Sequence, residues 1–260
     1  LQLAKSGDKW VLPEADDFPA KGERVSEFID KLIGLRAGRV VAEQATSRQR
    51  LKVADDEFER LIEIKLADGT TRRLYVGTSP SWGAIHVRAA GQDQVYLGSG
   101  LTLTDASTSP SSWINTEYLS VPQDEIVAVT VQNRNGALEF QRGEGDEWTM
   151  SGAAPGEELD AGALRMVPTR VDDIRIMRPL GKEAKPEYEM DDPNAVVTVT
   201  RRDQEGNEST YTITVGTQYE DKSWVLSTSE SPYSIQVTEY TAKDLVEWTR
   251  EDFLAKPTPT

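Results

Sequence analysis

Alternation of apolar and polar positions governs most of this chain, and it is clearest across residues 61–77. Leu61-Ile-Glu-Ile-Lys-Leu66 leads to Ala67-Asp68-Gly69, after which Arg72-Arg-Leu-Tyr-Val76 closes on Gly77. Period-two alternation offers one apolar face per strand, and Asp-Gly favours a type I′ turn, so the stretch predicts a β-hairpin. The same order returns across residues 195–216, with alternating Val and Thr, a turn at Gly206, renewed alternation from Tyr211 and a closing Val215-Gly216. Similar patterns predict a hairpin from Leu1 and Leu3 through Ser6-Gly7-Asp8 to Trp10-Val11-Leu12, and strands at 84–89, 94–98, 125–131, 138–140, 148–150, 223–227 and 234–237. Shorter strands are expected at 39–42 and at Ile176-Met177.

Helical spacing is rarer. Val25, Phe28, Ile29, Leu32, Ile33 and Leu35 recur at three- and four-residue steps, which predicts an amphipathic helix over 22–35. One helical turn is expected over 47–53 and a short helix over 113–119. Asp160 is placed as the N-cap of a helix using Leu164, Val167, Val171 and Ile174, which Pro168 should kink or divide.

These elements repeat in one order at a nearly constant spacing. The hairpin tryptophans lie 148 − 10 = 138 residues apart, the closing glycines 216 − 77 = 139, and Trp248 and Trp113 lie 135 apart. The expected fold is therefore α+β: a tandem duplication of a unit with a mostly antiparallel sheet and one main packed helix. The units are expected at 1–122 and 123–260, joined near 120–124. The convincing strand at 125–131 has no counterpart in the first half, so a strand, and whatever came before it, is expected ahead of Leu1.

Composition narrows the function. The 260 residues carry a net charge of −15, with 44 acidic against 29 basic side chains, which disfavours a nucleic-acid partner and direct adsorption to anionic lipid. There are no cysteines, so disulfides, thiolate catalysis and cysteine metal sites are excluded. No run approaches the roughly 20 apolar residues of a membrane span, and no signal peptide is evident.

Candidate chemistry is sparse. His86 is the only histidine and falls in register with Trp224, which assigns it to packing on a sheet. Carboxylates cluster at Asp16-Asp17, Asp55-Asp56-Glu57, Glu187, Glu189 and Asp191-Asp192, and all fall in stretches expected to be loops. The run from Asp203 to Asn207 lacks the ligand pattern of a calcium loop and is expected to be a hairpin turn. No phosphate loop, nucleophile elbow or zinc-binding helix motif occurs. Catalytic, cofactor-binding and metal-ligating residues are accordingly expected to be none. Trp10, Trp113, Trp148 and Trp248 recur in register as core anchors, whereas Trp82 and Tyr219 fall in the loops after the Val-Gly strand ends. These two are the candidate partner or ligand contacts.

Trp10-Val-Leu-Pro13, Phe18-Pro-Ala20 before the amphipathic helix, Leu51-Lys-Val53, Val76-Gly77, His86-Val-Arg88 and Asp124-Glu-Ile126 together resemble domain-of-unknown-function family 4340. The resemblance implies a bacterial envelope protein, periplasmic or otherwise extracytoplasmic, anchored to the inner membrane by an N-terminal segment that these residues lack. It also implies a partner among membrane proteins, such as subunits of an ABC-type transporter of the gliding-motility kind. The expected function is a non-enzymatic accessory protein, an interaction or ligand-presenting module. The alternatives are an enzyme acting on envelope polysaccharide with loop carboxylates as acid and base, and a structural spacer.

Overall fold

The computed structural model describes residues 1–255. In chain order the first elements are β1 (Ala4–Ser6), β2 (Lys9–Leu12), β3 (Phe18–Pro19), α1 (Gly22–Ile33), β4 (Arg36–Ala42), α2 (Ala45–Arg50), β5 (Arg60–Lys65), β6 (Thr71–Val76), β7 (Ala84–Ala89), β8 (Val95–Ser99) and β9 (Glu117–Ser120). They are followed by β10 (Ile126–Asn133), β11 (Gly136–Arg142), β12 (Trp148–Met150), α3 (Ala161–Thr169), β13 (Asp173–Arg175), β14 (Arg178–Gly181), β15 (Ala195–Arg202), β16 (Glu208–Gln218), β17 (Trp224–Thr228), β18 (Ser234–Val237) and α4 (Glu239–Glu247). The strand pairs are antiparallel, as the hairpin patterns require, and the fold is α+β.

The chain forms two compact units, Leu1–Ala20 together with the stretch from Ile114 onward, and Lys21–Trp113. These do not divide at 120–124, where the join of the expected repeats is placed. The reason is burial: Leu12, Ala15 and Phe18 sink into one apolar core with Val129, Val197 and Ile213. The sheet of the unit Lys21–Trp113 has a core of its own, in which Ile62, Val76, Ile85 and Val87 pack under Phe28 and Leu32 of α1. The larger unit holds an eight-stranded sheet of order β12-β11-β10-β15-β16-β17-β18-β14, with β1-β2-β3 and the pair β13-β9 beside it. The unit Lys21–Trp113 holds a five-stranded sheet of order β4-β8-β7-β6-β5.

Local chemistry explains the main elements. Helix α1 keeps Val25 buried and Phe28 and Leu32 against the core, and it ends where the Gly34 N–H donates to the Asp30 carbonyl at 2.8 Å. The Asp160 carboxylate accepts from the Gly162 and Ala163 N–H groups at 2.8 and 3.1 Å, capping α3 as expected. Pro168 lies in the last turn of α3, so the helix stops at Thr169 as one piece, and Ile174 falls on β13 instead.

Several expectations are corrected. The hairpin β5–β6 does not close in a type I′ turn. Its Leu66 N–H donates to Thr70 O and its Gly69 N–H to Leu66 O, so the loop is Ala67-Asp68-Gly69 with only Gly69 left-handed. That is a type I turn followed by a bulge glycine. The hairpin β15–β16 closes the same way, with Asp203 N–H to Asn207 O, Gly206 N–H to Asp203 O, and Gly206 left-handed. In place of the expected helix over 113–119 there is a short 3-10 turn, Pro110–Ser112, followed by the strand β9, because Glu117, Leu119 and Ser120 pair with Arg175, Ile174 and Asp173 of β13. Ile176-Met177 falls between β13 and β14 and belongs to neither.

Both closing glycines are required by close approach. A Cβ at Gly77 would stand 2.7 Å from the Lys52 carbonyl and from Val53 Cγ1, and closer still to the Leu51 carbonyl. A Cβ at Gly216 would stand 2.7 Å from Met190 Sδ and closer still to the Tyr188 carbonyl. In each sheet the loop ahead of the long hairpin crosses directly over this glycine.

Candidate functional site

Trp82 occupies the turn between β6 and β7. Ser79 Oγ donates to the Ala84 carbonyl at 2.6 Å and Gly83 is left-handed, which holds the turn tight. The Trp82 side chain is fully exposed. Tyr219 lies in the corresponding turn between β16 and β17, where its N–H donates to Ser223 O and its carbonyl accepts from Lys222 N–H. Its side chain is half-buried, and desolvation raises its pKa, with Tyr188 and Glu187 nearby adding to the rise. Trp82 therefore presents an indole to solvent, while Tyr219 presents only part of a ring.

His86 is buried on β7, with its Nδ1 2.9 Å from Thr78 Oγ1. Burial lowers its pKa, which disfavours the imidazolium. Trp224, in register with it, is buried on β17. Next to His86, Arg88 is 2% exposed, and sequence reasoning did not single it out beyond the family motif. Its guanidinium donates to the Val53 carbonyl at 2.6 Å, to the Gln92 carbonyl at 3.0 Å and to Asp55 at 2.6 Å, while lying over the Tyr75 ring. The bond from Arg88 holds the Asp55 carboxyl below its ordinary pKa. The signal in sequence was a charge inside an otherwise apolar strand, Ile85 to Ala89, both faces of which are covered.

Several of the clustered carboxylates fasten loops. Asp16 accepts from the Lys182 N–H at 2.7 Å and the Glu183 N–H at 3.4 Å, and these bonds lower its pKa. Glu57 pairs with Lys52, and Asp192 with Arg134 at 2.9 Å. Asp203 accepts from the Asn207 and Glu205 N–H groups within its own turn, as expected of a hairpin loop. Asp105, not anticipated, is buried and accepts from Lys31 at 2.6 Å and from the Thr102 N–H and hydroxyl, which ties the loop after β8 to α1. Among the described residues no group of three or more His, Asp or Glu gathers in a way that could hold a metal ion.

Each unit also has a concavity among its described residues. In the larger unit, Asn135, Leu138, Met150, Trp248 and Arg250 line a cavity of about 540 Å³. Arg250 is held there by Glu157 and the Gly152 carbonyl, and the Asn135 amide donates to the Glu247 carbonyl at 2.9 Å, so its polar groups are already engaged. In the unit Lys21–Trp113, an apolar groove of about 340 Å³ runs between Leu35, Leu74, Val87 and Tyr96. The same unit exposes Phe58, Leu61, Ile64 and Leu66 around the outer strand β5.

The class defined by these features is an α+β protein of antiparallel sheets, with ion pairs fastening its loops and exposed apolar side chains on both units, most of them on Lys21–Trp113. Its family follows from comparison: the model of the domain of unknown function DUF4340 matches residues 10–191, and the chain belongs to that family. Among curated proteins and among solved structures, none matches the chain significantly.

Proposed function

We propose that the chain is a non-enzymatic, extracytoplasmic accessory protein: an interaction or ligand-presenting module working with an ABC-type transporter or another envelope assembly. In this reading the full-length protein is held at the inner membrane by an N-terminal anchor. The observation that carries it is Trp82, a tryptophan fully exposed at the tip of a tight turn, on the unit that also exposes Phe58, Leu61, Ile64 and Leu66. An exposed indole on a turn with a fastened backbone offers a large contact area to a partner, the profile of an interface anchor.

The repeat belongs to the same proposal. The order β4-β8-β7-β6-β5 matches β14-β18-β17-β16-β15 element for element. The matching bulge-glycine turns at Gly69 and Gly206, and the matching close approaches at Gly77 and Gly216, support a tandem duplication of one α+β unit. Duplication supplies a second copy of each loop, so that one copy can keep its packing role while the other, with Trp82, diverges toward a partner.

The test is affinity purification of the full-length, anchored protein from its native membrane, alongside a Trp82→Ala variant. Co-purification of transporter subunits with the parent protein, reduced at least severalfold in the variant, is the expected result. Repeated absence of such subunits sinks the proposal.

A further inference from the structure

Open sheet edges are templates for further strands, and proteins commonly blunt them with short strands, prolines, bulges or charge. The two large sheets have four outer strands: β12 and β14 in the larger unit, β4 and β5 in the unit Lys21–Trp113. β12 spans only Trp148–Met150. β14 contains Pro179 and breaks register between Pro179 and Gly181. β4 breaks register on both sides of Val40. β5 carries none of the backbone devices: it pairs with β6 continuously from Arg60 to Lys65, without a proline or a bulge, and charge, at Arg60, Glu63 and Lys65, is the one device it has. Among the described residues its other side pairs with no strand.

The larger sheet shows what such an edge accommodates. Matching Val76 with Val215 sets Arg60 beside Ala195 in the register, since Arg60 pairs with Val76 and Ala195 with Val215. Ile62 and Ile64 then correspond to Val197 and Val199. β15, the counterpart of β5, is covered on its outer side by β10, with Val131 opposite Val197 and Val129 opposite Val199. Val199 is 0% exposed there, whereas Ile64 is 37% exposed. The same pattern of side chains is closed over in one sheet and open in the other.

We propose that the outer edge of β5 receives an antiparallel strand from the same polypeptide, supplied by residues ahead of Leu1, in the place that β10 takes beside β15. The occupant carries apolar residues opposite Ile62 and Ile64, as β10 carries Val131 and Val129, and polar residues between them. This rests on the repeat proposed above, which sets the strand order and the register. Its gain is the backbone hydrogen bonds of β5 and the burial of Ile64.

The test compares hydrogen–deuterium exchange in the 260-residue chain and in the full-length polypeptide of the anchored reading, which carries the residues ahead of Leu1 that this proposal requires. Residues 60–66 should exchange at least about tenfold more slowly in the extended chain, independently of protein concentration, with β15 unchanged as the internal reference. Equal exchange at 60–66 in the two chains overturns the proposal. So does protection in the 260-residue chain that grows with concentration, which would assign the edge to a second copy. Protection of the upstream residues with β5 still open also overturns it, by showing a strand that docks elsewhere, and leaves the repeat standing. Upstream residues without protection remove both.

Discussion

Replacing Gly77 by Ala tests the packing at the heart of the five-stranded sheet. The added methyl would lie 2.7 Å from the Lys52 carbonyl and from Val53 Cγ1, and nearer still to the Leu51 carbonyl. The crossing segment cannot simply retreat: the Thr78 N–H donates to Leu51 O at 3.0 Å, and Arg88 Nε donates to Val53 O at 2.6 Å. Overpacking against such a segment costs about 1–3 kcal/mol. Loss of one backbone hydrogen bond adds about 1 kcal/mol, while the reduced entropy of the unfolded chain returns about 0.5–1 kcal/mol. The expected net loss is about 2 kcal/mol, measured by urea denaturation followed by tryptophan fluorescence and far-ultraviolet circular dichroism. Gly91→Ala is the control. Gly91 is left-handed at φ +78°, and a Cβ added there would meet nothing within 4 Å, so backbone strain of about 1–2 kcal/mol acts without any clash, and the same unfolded-state term reduces the net loss to about 1 kcal/mol. A loss at Gly77 no larger than that at Gly91 would refute the close approach. Gly216→Ala, against Tyr188 and Met190, should behave as Gly77→Ala does.

Arg88→Met should cost about 2 kcal/mol in the same assay, because the buried Val53 carbonyl loses its donor and the bonds to the Gln92 carbonyl and Asp55 go with it. Arg88→Lys should recover only part of that loss, since one ammonium cannot span all three acceptors. His86 predicts a pH dependence. Burial holds its folded pKa below the ordinary 6.5, so the unfolded state takes up the proton first as pH falls. Its contribution to stability is complete above 6.5 and lost as pH falls from there toward the folded value, and His86→Gln should flatten that slope above the carboxylate range. Urea midpoints on either side of 6.5 read this directly, and an unchanged slope in the variant would refute it.

Much of the fold was legible because sheets announce themselves by alternation. β7, β12 and β18 were expected at their observed bounds, and the Asp160 cap was visible from one residue type ahead of an apolar spacing. The turn at Gly69 was misjudged because Asp-Gly fits both a two-residue loop and the end of a three-residue one. The choice is made by which carbonyl the Gly69 N–H reaches. The helix expected at 113–119 failed because a few aromatic and aliphatic residues suit either structure, and β13 was there to pair with β9.

By itself, the sequence determined the α+β class, the long hairpins, the amphipathic α1 and the placement of Trp82 in a loop between strands, since these depend on residues near one another along the chain. Tertiary structure alone decided that Leu12, Ala15 and Phe18 join the core of the later strands, that Arg88 is the buried fastener of the loop at Asp55, and that β5 is left as an outer strand without proline or bulge. Each of these depends on which surfaces meet after folding, and hydrophobic burial is non-directional, so a local pattern can mark a face as apolar without naming what covers it.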